Sequence, residues 1–244
     1  MGIAMRLGQE GARIVLVEGD RDIGEHVADQ LDAKGIEGRL LIGDLADPSA
    51  AKWAVTTATL VWGRLDILVH TPSRLRVREK ISEVGLDALD AAYRADVRVP
   101  LLFCREVIPQ MVERGYGRIV TLASIAGKDG HPLQRARSSA QASLIGLTKA
   151  VAMSVGDAGI RVNTVCPGSI MFNMGGWDMY KQNNPDSFAA FLERELPEGR
   201  LGTDQEVADV IAFVVSERAR WVNGAMIPVD GAQGRPTAQW FGDS

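Results

Sequence analysis

Short runs of aliphatic and β-branched residues recur along this chain, each followed by a longer stretch whose apolar positions return every three or four residues. The runs at 13–17, 38–42, 65–69, 118–123, 161–166 and 225–229 predict strands. The stretches at 21–34, 49–62, 86–114, 138–157 and 204–217 predict helices, and in the first of them Ile23, Val27 and Leu31 share one face. Strands that alternate with helices are joined by crossovers, which favours a parallel sheet covered by helices on both faces. The expected class is α/β with three layers. Sheets of this kind bind ligands beyond the carboxyl ends of their strands, so the loops there are where function is sought.

Composition narrows the picture. With 244 residues, 46% of them hydrophobic, the chain is long enough for one well-buried core and short for two, and a single domain over 1–244 is expected. The formal net charge is −4 and the Lys and Arg residues are scattered, so no basic face for nucleic acid is expected. Cys104 and Cys166 lie in apolar segments, as reduced, buried thiols do, which fits the cytoplasm. The amino-terminal residues lack an apolar export core, and Arg6 stands where a myristoylation signal wants Ser or Thr. No stretch approaches the length of a membrane span.

Several motifs follow one another in order: Gly11-Ala12-Arg13-Ile14-Val15, Gly63-Arg64-Leu65-Asp66-Ile67-Leu68-Val69, Gly117-Arg118-Ile119-Val120, Leu144-Ile145-Gly146-Leu147-Thr148-Lys149, Gly159-Ile160-Arg161-Val162-Asn163, Cys166-Pro167-Gly168 and Val229-Asp230-Gly231. In their order and spacing the chain resembles the short-chain dehydrogenase/reductase family over nearly its whole length. The resemblance implies a Rossmann-like three-layer fold with a parallel sheet. It also implies a first strand and a glycine-rich turn that hold the dinucleotide pyrophosphate. Here Leu7-Gly8-Gln9-Glu10-Gly11-Ala12 matches the end of the helix that follows that turn, so the fold is expected to lack the usual first strand and Gly-rich loop, by loss or by a start placed too late. Such a gap leaves main-chain groups unpaired, and neighbouring strands are expected to close it or another segment to fill it.

On the adenosine side, Glu18 ends the second family strand where an acid accepts from the ribose and disfavours a 2′-phosphate, and Asp44 follows the third. Both are read as vestigial turn residues, and no cofactor is expected on this chain. His70-Thr71-Pro72-Ser73 stands in place of Asn-Asn-Ala-Gly after the fourth family strand. His70 can be imagined as a replacement base, but with no visible orienting partner it is read as structural.

The resemblance places a catalytic tyrosine at Arg137, its lysine at Gln141, an asparagine at Asp96 and a serine at Ser124. A guanidinium cannot shuttle protons and a neutral amide cannot lower a pKa, so only Ser124 keeps its family identity. Tyr93, Tyr116 and Tyr180 are followed four residues later by Val97, Val120 and Asn184, so none restores the pair. No catalytic residue and no metal are expected. An ion pair between Asp96 and Arg137 is expected to plug the crevice, and Ser124 to make a local hydrogen bond.

The substrate loop of the family maps to 169–196, rich in Met171, Phe172, Met174, Trp177, Met179, Tyr180, Phe188 and Phe191, which are read as packing. The family pairs through the helices that carry the catalytic positions and through the last strand and helix. Ser138, Ser139, Ala142, Ser143 and Gly146 keep the first surface small, and the tail 233–244 adds Trp240 and Phe241 as anchors. The expected role is a non-catalytic subunit that assembles two plus two with an active paralogue holding NAD, without nucleic acid or membrane. The alternatives are an enzyme with rewired chemistry at Ser124, Asp96 and His70, and a homo-oligomeric ligand-binding protein.

Overall fold

The computed structural model describes residues 1–45, 47–71, 81–83, 85–172 and 175–234. Helix α1 (Gly2–Gln9) leads into β1 (Ile14–Glu18), α2 (Arg21–Asp32), β2 (Gly38–Ile42), α3 (Ala50–Trp62) and β3 (Ile67–His70). Then come α4 (Leu86–Tyr93), a π-helical turn (Arg94–Arg98), α5 (Val99–Arg114), β4 (Gly117–Leu122), α6 (Ile125–Asp129), α7 (Arg135–Val155) and β5 (Ile160–Pro167). The last part comprises β6 (Ile170–Met171), α8 (Gly176–Asn183), α9 (Pro185–Glu195), β7 (Gly202–Thr203), α10 (Asp204–Val215) and β8 (Met226–Val229).

Local chemistry sets many of the boundaries. Asp20 opens α2 by accepting from the Ile23 N–H at 3.1 Å, and Thr203 with Glu206 forms a reciprocal capping box on α10. Gly63 and Gly115 end α3 and α5 in the left-handed region, at φ of 76° and 66°. Where one helix over 86–114 is expected, the chain forms three pieces. The π-helical turn breaks the helical register and swings Asp96 inward, to 1% exposure.

All the expected strands form and pair in parallel, in the order β1-β2 in one sheet and β3-β4-β5-β8 in another. The short β6 and β7 make a separate pair. Helices α3 and α5 cover one face through Ala54, Val55, Phe103, Val107 and Met111, against Ile119, Ile160 and Val162. Helices α1 and α10 cover the other through Leu7, Val207, Ile211 and Val214, against Val120, Leu122 and Val165. Burying a side chain such as Ile160 completely contributes about 2–3 kcal/mol. Within this core, Thr121 shares hydrogen bonds with Thr148 at 2.8 Å and Thr164 at 3.0 Å, so three buried hydroxyls satisfy one another.

The gap next to β1 does not close as expected. Among the described residues no strand pairs with the second edge of β1 or of β3. Packing explains this, because both helical layers rest on both sheets. Val17 and Leu68 join the core on one face, and Ile14, Ile67 and Val69 join it on the other. Bringing β1 against β3 would require both layers to shift together.

Candidate active site

Four positions singled out from the sequence converge where β3 and β4 end. His70 is the last residue of β3, in register with Thr121 of the neighbouring β4. Ser124 lies just beyond β4, where its Oγ accepts from the Ala126 N–H at 3.1 Å and caps α6. The local hydrogen bond expected of Ser124 is thus present, and the hydroxyl retains a proton to donate.

Asp96 and Gln141 meet from opposite elements, the π-helical turn and α7. The Gln141 Nε2 donates to Asp96 Oδ2 at 2.8 Å, and the Gln141 side chain is fully buried. Asp96 is therefore held by Gln141 rather than by Arg137, which replaces the expected plug. The reason is helical phase. Gln141 lies one turn beyond Arg137 on α7, and Arg137 instead directs Nη1 to Gln134 Oε1 at 3.3 Å. A Cβ at Gly127 would lie 2.6 Å from the Gln141 Cβ, so α6 crosses α7 closely at this point and fixes the amide in place.

Burial pushes the His70 imidazole down to about 4, while the nearby Asp96 carboxylate opposes that fall. His70 is therefore neutral at physiological pH, and its Nδ1 and the Gln141 Oε1 are buried atoms with no hydrogen-bond partner among the described residues. The charged neighbour that the sequence did not reveal is Asp96, 26 residues away along the chain, whose carboxylate acts on the imidazole electrostatically. The thiols are inert by comparison. Burial drives Cys104 up to about 12 and Cys166 up to about 11.

Glu18 behaves as the expected turn residue, its Oε1 accepting from the N–H groups of Gly19 at 2.9 Å and Asp20 at 3.3 Å. Asp44 also shapes its turn, its carbonyl accepting from the Asp47 N–H at 3.0 Å. In the lid, Trp177 stacks on Phe191 at 4.6 Å, and Phe188, Leu196 and Leu201 form a satellite core, as the packing reading requires. Phe172 and Met179 nevertheless remain exposed. Ser139 and Ser143 are engaged within the chain, each hydroxyl 2.9 Å from the Tyr93 hydroxyl, so part of the small-residue surface of α7 is already covered by α4. Their spacing of four was visible in the sequence, but their partner was not. The strap after β8 is tied down by Gln233, which accepts from the Ser169 N–H at 2.7 Å. Pro72, Ser73, Met174, Trp240 and Phe241 lie outside the described residues.

The described residues fit a dinucleotide only in part. Glu18 offers a carboxylate at the end of β1, suited to ribose hydroxyls. The amino end of α1, however, lies against a carboxylate. A Cβ at Gly2 would sit 2.6 Å from Asp204 Oδ2, so a pyrophosphate there would meet a like charge, and the phosphate half does not fit.

A parallel α/β sheet with polar groups gathered at its carboxyl ends is the architecture of the Rossmann-like folds. Comparisons with known proteins agree. The family model described as enoyl-(acyl carrier protein) reductase matches residues 1–232. The 3-oxoacyl-[acyl-carrier-protein] reductase of Staphylococcus epidermidis is 31% identical over 94% of this chain and 91% of its own length. An oxidoreductase of Escherichia coli, UcpA, is 29% identical over 96% of this chain and 90% of its own. Among solved structures, levodione reductase superposes with a TM-score of 0.86 at 28% identity, covering 94% of this chain and 91% of its own. The L-sorbose reductase of Gluconobacter frateurii, complexed with NADPH and L-sorbose, gives 0.87 at 27% identity, with 96% and 92% covered. The chain belongs to the short-chain dehydrogenase/reductase family.

These relatives correct one expectation from the sequence. They are named as oxidoreductases and reductases, which points to an enzyme rather than a non-catalytic subunit. The expectation that this chain holds no cofactor gains no support either, since its structural neighbour L-sorbose reductase is complexed with NADPH. Among the described residues no helix is long and apolar enough to cross a membrane, and no cluster of metal-binding side chains forms.

Proposed function

We propose that this chain is an oxidoreductase of the short-chain class acting at a secondary alcohol or its ketone, with Ser124, His70 and Asp96 handling the oxygen and its proton. The observation that carries this reading is a fully buried Asp96 carboxylate, held in place by Gln141, that acts electrostatically on a half-buried His70 that is neutral at physiological pH. The Ser124 hydroxyl, already accepting from the Ala126 N–H, donates to the substrate oxygen. His70 takes the alcohol proton during oxidation, the carbinol hydrogen would leave as hydride to a nicotinamide dinucleotide acting as co-substrate, and Asp96 stabilises the imidazolium that results. Arg137, charged throughout the working range, takes no part in the transfer.

The test is turnover of a panel of secondary alcohols and ketones with NAD(H) and NADP(H). His70→Gln and Asp96→Asn are each expected to lower kcat by roughly 100-fold with KM little changed. Turnover of the His70→Gln variant at the parental rate would sink the proton-transfer assignment. The parental rate is expected to fall only as the pH approaches about 4, where His70 becomes protonated.

A second reading concerns assembly, and it rests on two separate apolar surfaces. Leu101 on α5 and Met153 on α7 are exposed on the elements expected to form the first, and Phe213 on α10, Trp221 and Met226 of β8 on those expected to form the second. We infer a two-plus-two hetero-oligomer with a paralogous NAD-dependent chain. Its substrate is put forward as 2-(hydroxy(phenyl)methyl)succinyl-CoA, the aromatic alcohol of anaerobic toluene degradation, because the departures at Asp96, Arg137 and Gln141 resemble those of one subunit of its dehydrogenase. Co-expression with a paralogue encoded nearby is expected to give a single species of four chains. Separate elution of the two would refute the assembly.

A further inference from the structure

The lid from 169 to 196 leaves the body of the protein through two stems, and one short strap grips both. Phe188, Leu196 and Leu201 are buried in a core of their own with Trp177 and Phe191 packed against them, and none of these residues joins the cores on either face of the main sheet. The lid is thus a separate packing unit. Its first stem starts at Ser169, just past the carboxyl end of β5, and the neighbouring parallel β4 ends on the same side, next to Ser124. The second stem returns through Glu195.

The strap follows β8 and comprises residues 230–234. Gln233 Oε1 accepts from the Ser169 N–H at 2.7 Å and its Nε2 donates to Ser169 Oγ at 3.0 Å, while the next N–H, that of Gly234, donates to the Glu195 carbonyl at 3.2 Å. Two consecutive residues hold both stems. The strap is bent to do so, since Ala232 has a φ of 58° and among the described residues no other non-glycine residue has a positive φ. A residue with a Cβ keeps that conformation only where its surroundings impose it. A Cβ at Gly168 would lie 2.8 Å from Gln233 Oε1 and 2.9 Å from Asp230 Cα, so glycine at this position is what admits the strap. The Asp230 carboxylate in turn reaches Lys128 Nζ at 3.7 Å, on the helix α6 that Ser124 caps. Under the stems lies a cavity of about 140 Å³, bordered by Ser169, Ile170, Leu196 and Gly202 and by Asp230 and Gly231 of the strap, so little packing opposes movement there.

We propose that Gln233 is a positioning residue for the reaction: its two bonds to Ser169 hold the lid down on the strap, and when they break the lid lifts as one body with its aromatic core intact. An amide suits this task because Ser169 presents a donor and an acceptor side by side, and Gln233 answers each. Lifting admits substrate to the crevice, and closing removes the water that competes for hydrogen bonds at Ser124. The kinetic consequence rests on the alcohol and ketone reading given above, whereas the join between lid and strap stands without it.

Spin-label distances on the full chain test the join. Labels go on Met179→Cys in the lid and Leu60→Cys on α3, both exposed positions, while the native Cys104 and Cys166 are buried and stay unlabelled. The otherwise parental chain is expected to show one distance. Gln233→Ala should add a second, and Gln233→Glu, whose carboxylate accepts from both the N–H and the hydroxyl of Ser169, should restore the single distance. Ser169→Ala, which keeps the N–H, should give the second distance in a smaller share of molecules. Exchange of the Phe188 amide, inside α9, should stay within about twofold in every variant. On an alcohol that the parent turns over, Gln233→Ala should raise KM by about tenfold with kcat within about twofold. One unchanged distance in both Gln233→Ala and Ser169→Ala overturns the clamp, and faster exchange at Phe188 overturns lifting as one body. A lifted lid with unchanged KM removes the positioning role. If no alcohol or ketone is turned over, the reading of the crevice fails and the distances alone decide the clamp.

Discussion

Strands β1 and β5 are both rich in aliphatic and β-branched residues, yet they occupy different physical situations. β5 is paired on both edges, with β4 and β8, and Ile160, Val165 and Cys166 are completely buried. Its Asn163 reaches across to fix the next strand, donating from Nδ2 to the Val222 carbonyl at 3.0 Å and accepting from the Ala225 N–H at 2.9 Å. Among the described residues β1 is paired on one edge only, with β2, and all of its residues are half-buried. An aliphatic run therefore fixes strand identity, while neighbours on both edges determine how much each residue contributes to stability.

The largest effect expected from this contrast is in paired truncations. Ile160→Ala should cost about 4 kcal/mol in chemical unfolding, because it leaves a cavity in a fully packed layer. Leu16→Ala in β1 should cost about 1 kcal/mol, since that site is already half open. Equal costs would show that the two sheets are equally consolidated and would break the comparison.

A smaller loss sharpens it. Asn163→Leu removes both side-chain partners of the β8 approach and leaves the part-buried Val222 carbonyl and Ala225 N–H without them. About 2 kcal/mol is expected, with a lower thermal midpoint. If the unfolding free energy does not change, water has replaced both partners.

The effect that is smallest at neutral pH, and grows on acidification, concerns the boundary between the sheets, at His70. Its folded proton affinity is depressed, from the ordinary histidine value of 6.5 to about 4, so on acidification the unfolded chain binds a proton first. Stability should hold at neutral pH and decline as the pH falls through that interval. His70→Gln should remove this decline, and an unchanged pH profile in the variant would place its origin elsewhere.

Much of the architecture could be read directly from the sequence. The β-branched runs located the six strands of the two main sheets to within about two residues, and the capping residue Asp20 is visible as sequence. The two-residue strands β6 and β7 are too short to have a period. The break at Arg94–Arg98 has one signal in the sequence, Pro100, which lacks the N–H that would reach the Asp96 carbonyl, but the apolar pattern from Leu86 to Arg114 runs on through it and reads as one helix. The candidate site was legible as a set of substitutions and not as an arrangement. The sequence marked His70, Asp96, Arg137 and Gln141, but paired Asp96 with the wrong partner, because opposite charge is the only attraction that can be inferred without geometry.

The sequence alone determined the strand and helix pattern, the family and the identity of the groups that could move a proton, since periodicity and side-chain chemistry belong to residues. The tertiary structure decided which of those groups meet. A π-helical turn and one turn of α7 put Asp96 against Gln141 instead of Arg137. It also decided that β1 and β3 do not pair with one another, and that residues of both strands share each helical layer, Val17 and Leu68 on one face and Ile14, Ile67 and Val69 on the other.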